Sequence, residues 1–200
     1  AKLKEADPKT GRQVEQELKN LFAQMQEAVA QQANPDNVES IEEPVASLPG
    51  VSRWSVDNIA RRAKEAVDLG IPCLALFPNT QPELRSDDGA EALNPDNLMC
   101  RAIKAVRDAC GADIGILTDV ALDPYNASGH DGFERDGEIV NDETVEALVK
   151  QALSQARAGA DMIGPSDMMD GRIGAMRAAL EAEGFRNTLL LSYSAKYASA

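Results

Sequence analysis

The sequence predicts an α/β protein in which a parallel sheet is covered by helices, and three observations carry that reading. A unit of amphipathic helix, glycine and short apolar run recurs four times between residues 55 and 192, and such repeats need crossover connections, which make neighbouring strands parallel. The apolar runs are continuous rather than alternating, as expected of strands buried on both faces. A doubly wound sheet and a barrel both satisfy these facts. The third observation favours the barrel: Asp119, Ser166 with Asp167, and Lys196 each lie just past the C-terminal end of a different run. In a barrel those ends converge on one mouth, where active sites sit.

Taken in order, residues 1–11 are polar and read as a frayed terminus. Over residues 12–32 the apolar positions Val14, Leu18, Leu21, Phe22, Met25 and Val29 recur at steps of three and four, which predicts an amphipathic helix with one buried stripe. Asn34-Pro35-Asp36-Asn37 breaks it, and residues 39–50 read as an extended, proline-punctuated linker. Ser55 is placed to cap a helix with Val56, Ile59, Ala63 and Val67 on one face, and Gly70 ends it before a strand over 71–77. Asn94-Pro95 opens a second helix, through Leu98, Ile103 and Val106 to Gly111, ahead of a strand over 113–120. Asn141 or Asp142 opens a third, with Val145, Leu148, Val149 and Leu153, which ends at Gly159 before a strand over 160–164. The fourth runs from Arg172 through Met176 and Leu180 to Gly184, before a strand over 188–192. The organisation that follows is an arm over residues 1–42 and a barrel-type domain over 43–200.

Composition narrows the function classes. With 200 residues, 44% hydrophobic and 26% charged, the chain can bury a sizeable core. A net charge of -13 argues against nucleic acid or an anionic membrane as partner, since phosphate binding needs clustered Lys and Arg. The apolar runs are too short to span a bilayer and the N-terminus lacks a signal-peptide pattern, so a cytoplasmic location is expected. Cys73, Cys100 and Cys110 are odd in number and lack zinc-type spacing, and His130 is the sole histidine, so buried thiols are expected rather than a disulfide framework or a Cys/His zinc site. The chain begins at Ala1 without methionine and stops soon after its most chemical motif, which reads as a fragment of a longer protein.

Two loops and the C-terminal segment carry the chemistry. In Leu189-Leu190-Leu191-Ser192-Tyr193-Ser194-Ala195-Lys196 an apolar run delivers a lysine among small and hydroxyl residues. Schiff-base chemistry needs such an amine desolvated or near another cation, lowering a pKa of about 10.4; the competing reading is a lysine that snorkels out at a strand end. The 118–132 loop holds Asp119, Asp123 and Asp131, oxygen ligands that suit Mg²⁺ or a monovalent cation, or simply turn formers. Gly164-Pro165-Ser166-Asp167-Met168-Met169-Asp170-Gly171 offers a hydroxyl and carboxylates, or only a helix cap.

Read together with Ser47-Leu48-Pro49-Gly50-Val51, Asp119-Val120-Ala121-Leu122-Asp123-Pro124-Tyr125, Gly129-His130-Asp131-Gly132 and Ser192-Tyr193-Ser194-Ala195-Lys196-Tyr197-Ala198-Ser199, these segments make residues 43–200 resemble the porphobilinogen synthase family, also called delta-aminolevulinic acid dehydratases. The resemblance implies a TIM (β/α)8 barrel that condenses two molecules of 5-aminolevulinate into porphobilinogen for heme and other tetrapyrroles. It makes Lys196 one of two Schiff-base lysines, Asp119 a charge or proton partner of that amine, and Ser166 a substrate-binding residue. Zinc-dependent members carry three metal-binding cysteines at the positions of Ala121, Asp123 and Asp131. The sequence therefore resembles the aspartate-bearing branch, magnesium-stimulated or without active-site metal, with Asp123 and Asp131 as candidate ligands of Mg²⁺ or a monovalent cation, no zinc and no organic cofactor. Large homo-oligomers are implied too, although the 1–42 arm does not match the family's arm.

The resemblance accounts for about four of eight strands, the second to the fifth, and the family's second lysine has no counterpart up to Ala200. The chain on its own is thus expected to be inactive and to associate through open strand edges. Two other readings compete. A different Schiff-base barrel of aldolase type would share Lys196 but leave the 123–132 loop unexplained. A non-catalytic truncated paralogue would assemble with a full-length synthase.

Overall fold

The computed structural model describes residues 28–31 and 40–195. Lys196, with residues 12–27 and 32 of the expected N-terminal helix, lies outside the described residues. The four expected helices are α1 (Val56–Asp68), α2 (Leu98–Cys110), α3 (Asn141–Ala158) and α4 (Arg172–Ala182). In α1 the residues Ile59, Ala63 and Ala66 are buried, the three- and four-residue spacing of a single core-facing stripe. Gly70, at φ +76°, lets the chain reverse so that Ile71 N–H donates to the Ala66 carbonyl at 2.9 Å and satisfies an orphan at the helix end. Asn97 caps α2 by accepting from Cys100 N–H at 2.9 Å.

Strands β1 (Ala28–Gln31), β2 (Glu42–Pro44), β3 (Ser52–Ser55), β4 (Cys73–Asn79), β5 (Gly115–Val120), β8 (Met162–Pro165) and β9 (Leu189–Leu190) form one sheet in the order β2-β3-β1-β4-β5-β8-β9, while β6 (Phe133–Arg135) and β7 (Glu138–Val140) pair as a separate hairpin. Every neighbouring pair in the large sheet is parallel except β2 with β3. The four strands of the repeats are β4, β5, β8 and β9, and the sheet continues past β4 through β1 and β3 to β2.

Two expectations are corrected here. Residues 28–31, the end of the segment whose spacing predicts a helix, are strand β1, seated between β3 and β4. Four residues of Ala-Val-Ala-Gln fit either structure locally, and the two neighbouring ladders decide. The 39–50 linker is also more ordered than its composition suggests. It contains β2, and Val45 N–H to Val51 O at 2.9 Å closes the Ser47-to-Val51 turn that leads into β3.

Consecutive helices pack on one another, α1 on α2, α2 on α3 and α3 on α4, so they form one layer on one side of the sheet. That is the arrangement of a barrel wall; a doubly wound sheet divides its helices between two faces. Leu74, Leu76, Ile116, Val120 and Ile163 point into the layer against Ile59, Ile103, Val106, Leu148, Met176 and Leu180, and all are at most 5% exposed. Each such aliphatic side chain contributes about 1.5–3 kcal/mol by leaving water. The strands are not uniformly buried. On β4 the pattern alternates, with Leu74 and Leu76 buried and Cys73, Ala75 and Phe77 half-buried, because helices cover the outer face while the inner face lines the barrel.

Candidate active site

At the C-terminal ends of β5 and β8, Asp119 is level with Gly164 and Val120 with Pro165, and Ser166 N–H donates to the Val120 carbonyl at 3.2 Å. Asp119 and Ser166 therefore stand on adjacent strand ends. Thr118, fully buried, faces the helices, where its Oγ1 donates to Gln155 Oε1 at 2.6 Å. Strand alternation then turns the Asp119 side chain to the inner face. At Gly164 a Cβ would meet Leu117 Cδ1 at 3.2 Å and Tyr193 Cε2 at 3.7 Å, so the glycine admits both side chains onto that face. Tyr193 thus brings the segment before Lys196 to the same mouth. Lys196 itself lies outside the described residues.

The end of β5 is held from behind by α3. Gln155 Nε2 donates to the Asp119 carbonyl at 2.9 Å and Gln151 Nε2 to the Ala121 carbonyl at 3.2 Å. Both glutamines are at most 1% exposed. Next to them Tyr125 is completely buried. Burial pushes its hydroxyl well above the ordinary phenol range, nearby Cys100 and Asp119 push the same way, and the Gln151 side chain opposes them.

The long loop after β5 is tied by its own polar groups. Asn126 Oδ1 accepts from Gly129 N–H at 2.7 Å, its Nδ2 donates to the His130 carbonyl at 2.5 Å, and His130 Nδ1 accepts from Gly132 N–H at 3.0 Å. His130 is thereby committed to loop structure. Past it, Asp136 (φ +53°) and Gly137 (φ +81°) make the two-residue turn of the β6–β7 hairpin, an Asp-Gly pair being suited to two left-handed positions. The loop after β8 packs on this hairpin. A Cβ on Gly132 would stand 2.9 Å from Ile139 Cγ2 and 3.0 Å from Met169 Cε, and Asn141 Oδ1 accepts from Asp170 N–H at 2.8 Å. Inside that second loop Asp167, its side chain wholly buried, pairs with Arg172 Nε at 3.0 Å and accepts from Met169 N–H at 2.8 Å.

Among the described residues no group of three or more His, Cys, Asp or Glu side chains is placed to hold a metal ion, so Asp119, Asp123 and Asp131 do not gather as the trio their spacing suggested. Burial raises the thiol pKa of Cys73, Cys100 and Cys110, which keeps them neutral and poor as ligands or nucleophiles. A groove of about 450 Å³ lined by Lys104, Lys150, Ser154 and Arg157 lies between α2 and α3, where Lys104 pairs with Asp96 and Arg157 with Glu183. No helix among the described residues is long and apolar enough to cross a membrane.

Gln151, Gln155, Arg172 and Tyr193 were not singled out by the sequence reading. The glutamines did leave a signal, being two amides at i, i+4 on the buried face of a helix whose other buried residues are Thr144, alanines and a leucine.

Comparison with known proteins bears directly on this arrangement. The family model described as delta-aminolevulinic acid dehydratase matches residues 15–200. The delta-aminolevulinic acid dehydratase of Bradyrhizobium diazoefficiens is 54% identical over 158 residues, covering 79% of this chain and 44% of the relative. That of Rhodobacter capsulatus is 51% identical over 156 residues, covering 78% and 47%, and the chloroplastic protein of Pisum sativum is 51% identical over 160 residues, covering 78% and 40%. A crystal structure of delta-aminolevulinic acid dehydratase from Toxoplasma gondii ME49, in complex with the reaction product porphobilinogen, is similar with a TM-score of 0.80 at 40% identity, covering 98% of this chain and 56% of that one. The chain spans less than half the length of these curated relatives.

Proposed function

Because the chain belongs to the delta-aminolevulinic acid dehydratase family, we propose that it works within a porphobilinogen synthase, a lyase that condenses two molecules of 5-aminolevulinate into porphobilinogen for tetrapyrrole synthesis. The observation that carries this reading is the joining of two strand ends at one mouth: Ser166 N–H bonds to Val120 O at 3.2 Å beside Asp119. Tyr193, three residues before Lys196 in sequence, stands beside Gly164 at the same mouth and supports this reading. Lys196, as the free amine, adds to the substrate ketone and loses water to form an imine, so an amine desolvated enough to shed its proton is required. Asp119 is the group that takes and returns protons at that amine. The Ser166 hydroxyl binds substrate from the neighbouring strand.

Where a cation takes part, Asp123 and Asp131 are the carboxylates that would hold it, and oxygen donors select a hard ion such as Mg²⁺ over Zn²⁺. Association into a homo-oligomer belongs to the same proposal, with Leu48, Leu69 and Ile139 each more than a third exposed as apolar surface for it. So does a cytoplasmic setting, in keeping with three reduced thiols.

The test is borohydride reduction of the full-length protein in the presence of 5-aminolevulinate, followed by peptide mass mapping and a colorimetric assay for porphobilinogen. A reduced adduct on Lys196 is expected. An adduct confined to other lysines would overturn the assignment.

A further inference from the structure

We propose that Gln155 and Thr118 form a positioning pair that aims the Asp119 carboxylate into the barrel mouth from the helical side of the sheet. The hydrogen-bonded ladder between β4 and β5 runs only as far as Leu76 with Thr118. One residue further along β5 the carbonyl of Asp119 is taken by Gln155 Nε2 at 2.9 Å, so an amide on α3 takes over where the pairing with β4 ends. The same amide accepts from Thr118 Oγ1 at 2.6 Å. Gln155 and Thr118 are both fully buried.

An amide is nearly symmetric in shape but not in chemistry, and a glutamine in this slot can be turned two ways. The Asp119 carbonyl, which can only accept, decides between them by requiring Nε2 on its side. The reverse orientation would set Oε1 against that carbonyl, two acceptors facing each other, and in the observed one the Thr118 hydroxyl donates to the Oε1 so presented and holds the amide plane in place. One turn earlier on α3, Gln151 holds the Ala121 carbonyl at 3.2 Å. The backbone on both sides of Val120 is thus fixed to a rigid helix, and with it the direction in which Asp119 leaves the strand. This role rests on the proposed function, since it matters only where Asp119 handles protons.

The test uses the full-length protein with three substitutions. Thr118→Val removes the donor that anchors the amide, Thr118→Ser retains it, and Gln155→Met removes the amide at similar length. Each is followed by thermal melting, by steady-state turnover of 5-aminolevulinate at a temperature where all variants are folded, and by nuclear magnetic resonance titration of the Asp119 carboxyl. Thr118→Val and Gln155→Met are expected to lower kcat by about tenfold to a hundredfold, the scale of a small misplacement of a catalytic group, with KM changed less. They are also expected to shift the Asp119 titration, while Thr118→Ser stays within about twofold of the parent, far below that scale. Folded Thr118→Val and Gln155→Met proteins with parental kcat and an unmoved Asp119 titration would overturn the proposal. A parent protein that makes no porphobilinogen would refute the proposed function instead, and the carboxyl titration would still decide whether the pair orients Asp119.

Discussion

The carboxylate of Asp167 lies 3.0 Å from Nε of Arg172, with the aspartate side chain at 0% exposure and the arginine at 16%. The asymmetry in burial decides which partner matters more. Arg172→Met takes the cation from a carboxylate that cannot reach water, and breaking a buried pair in that way costs about 3–5 kcal/mol. Asp167→Asn leaves an arginine that still touches solvent, so its cost should be smaller, about 1–2 kcal/mol. Urea denaturation of the two variants checks the order, and equal losses would contradict it.

Tyr125 gives an alkaline signature. Its folded-state pKa is raised well above the ordinary 10.0, mainly by burial, so the fold favours the neutral phenol. That contribution is intact below about pH 10 and is lost as the pH rises beyond it, because the unfolded chain releases the proton first. Of the three tyrosines in the sequence, Tyr125 should ionise only as the protein unfolds. Phenolate absorbance followed beside circular dichroism reads this directly, and Tyr125→Phe should flatten the alkaline limb of stability.

Gly132 marks where two motif loops touch. Gly132→Ala would drive a methyl group to 2.9 Å from Ile139 Cγ2 and 3.0 Å from Met169 Cε, and overpacking of this kind costs about 1–3 kcal/mol. The thioether can be cut back, so Gly132→Ala with Met169→Ala should recover part of the loss. A double-mutant cycle with no coupling between the two sites would refute the contact as the cause.

Zinc should be dispensable. With carboxylates at Asp123 and Asp131 and alanine at Ala121, the loop offers no thiolate, and a zinc-selective chelator is expected to leave turnover by the full-length protein unchanged. Stoichiometric zinc on the purified protein, together with loss of activity when it is stripped, would count against this.

How far the sequence could be read depended on how local each decision was. The helix boundaries were legible because they rest on single residues: Gly70, Gly111, Gly159 and Gly184 all adopt the positive φ that stops a helix. The reason for a boundary was less so. Ser55 does precede α1, but its hydroxyl bonds to Asp57 Oδ1 at 2.5 Å and accepts from Ile41 N–H at 3.0 Å rather than capping the helix. Asn94-Pro95 read as the helix start, yet the cap is Asn97. Asp119 and Ser166 stand out in the sequence because acids and hydroxyls at strand ends are conspicuous, and the structure sets them on adjacent strand ends. Gln151 and Gln155 act through the backbone carbonyls of 121 and 119, thirty and thirty-six residues away in sequence, so two amides on a buried helix face are visible locally but the carbonyls they take are not.

The place of β1 bears on the order in which the chain assembles. It precedes β3 and β4 in sequence yet lies between them in the sheet, so the contiguous β3–α1–β4 unit cannot close its own ladder. The β4-to-β9 half can grow by adding each strand next to the one before it. The other half needs a segment from upstream to enter the slot between two strands, a loop closure whose entropic cost falls before its hydrogen bonds repay it. Until β1 docks, the edge of β4 that it covers presents unpaired backbone groups that another strand could take.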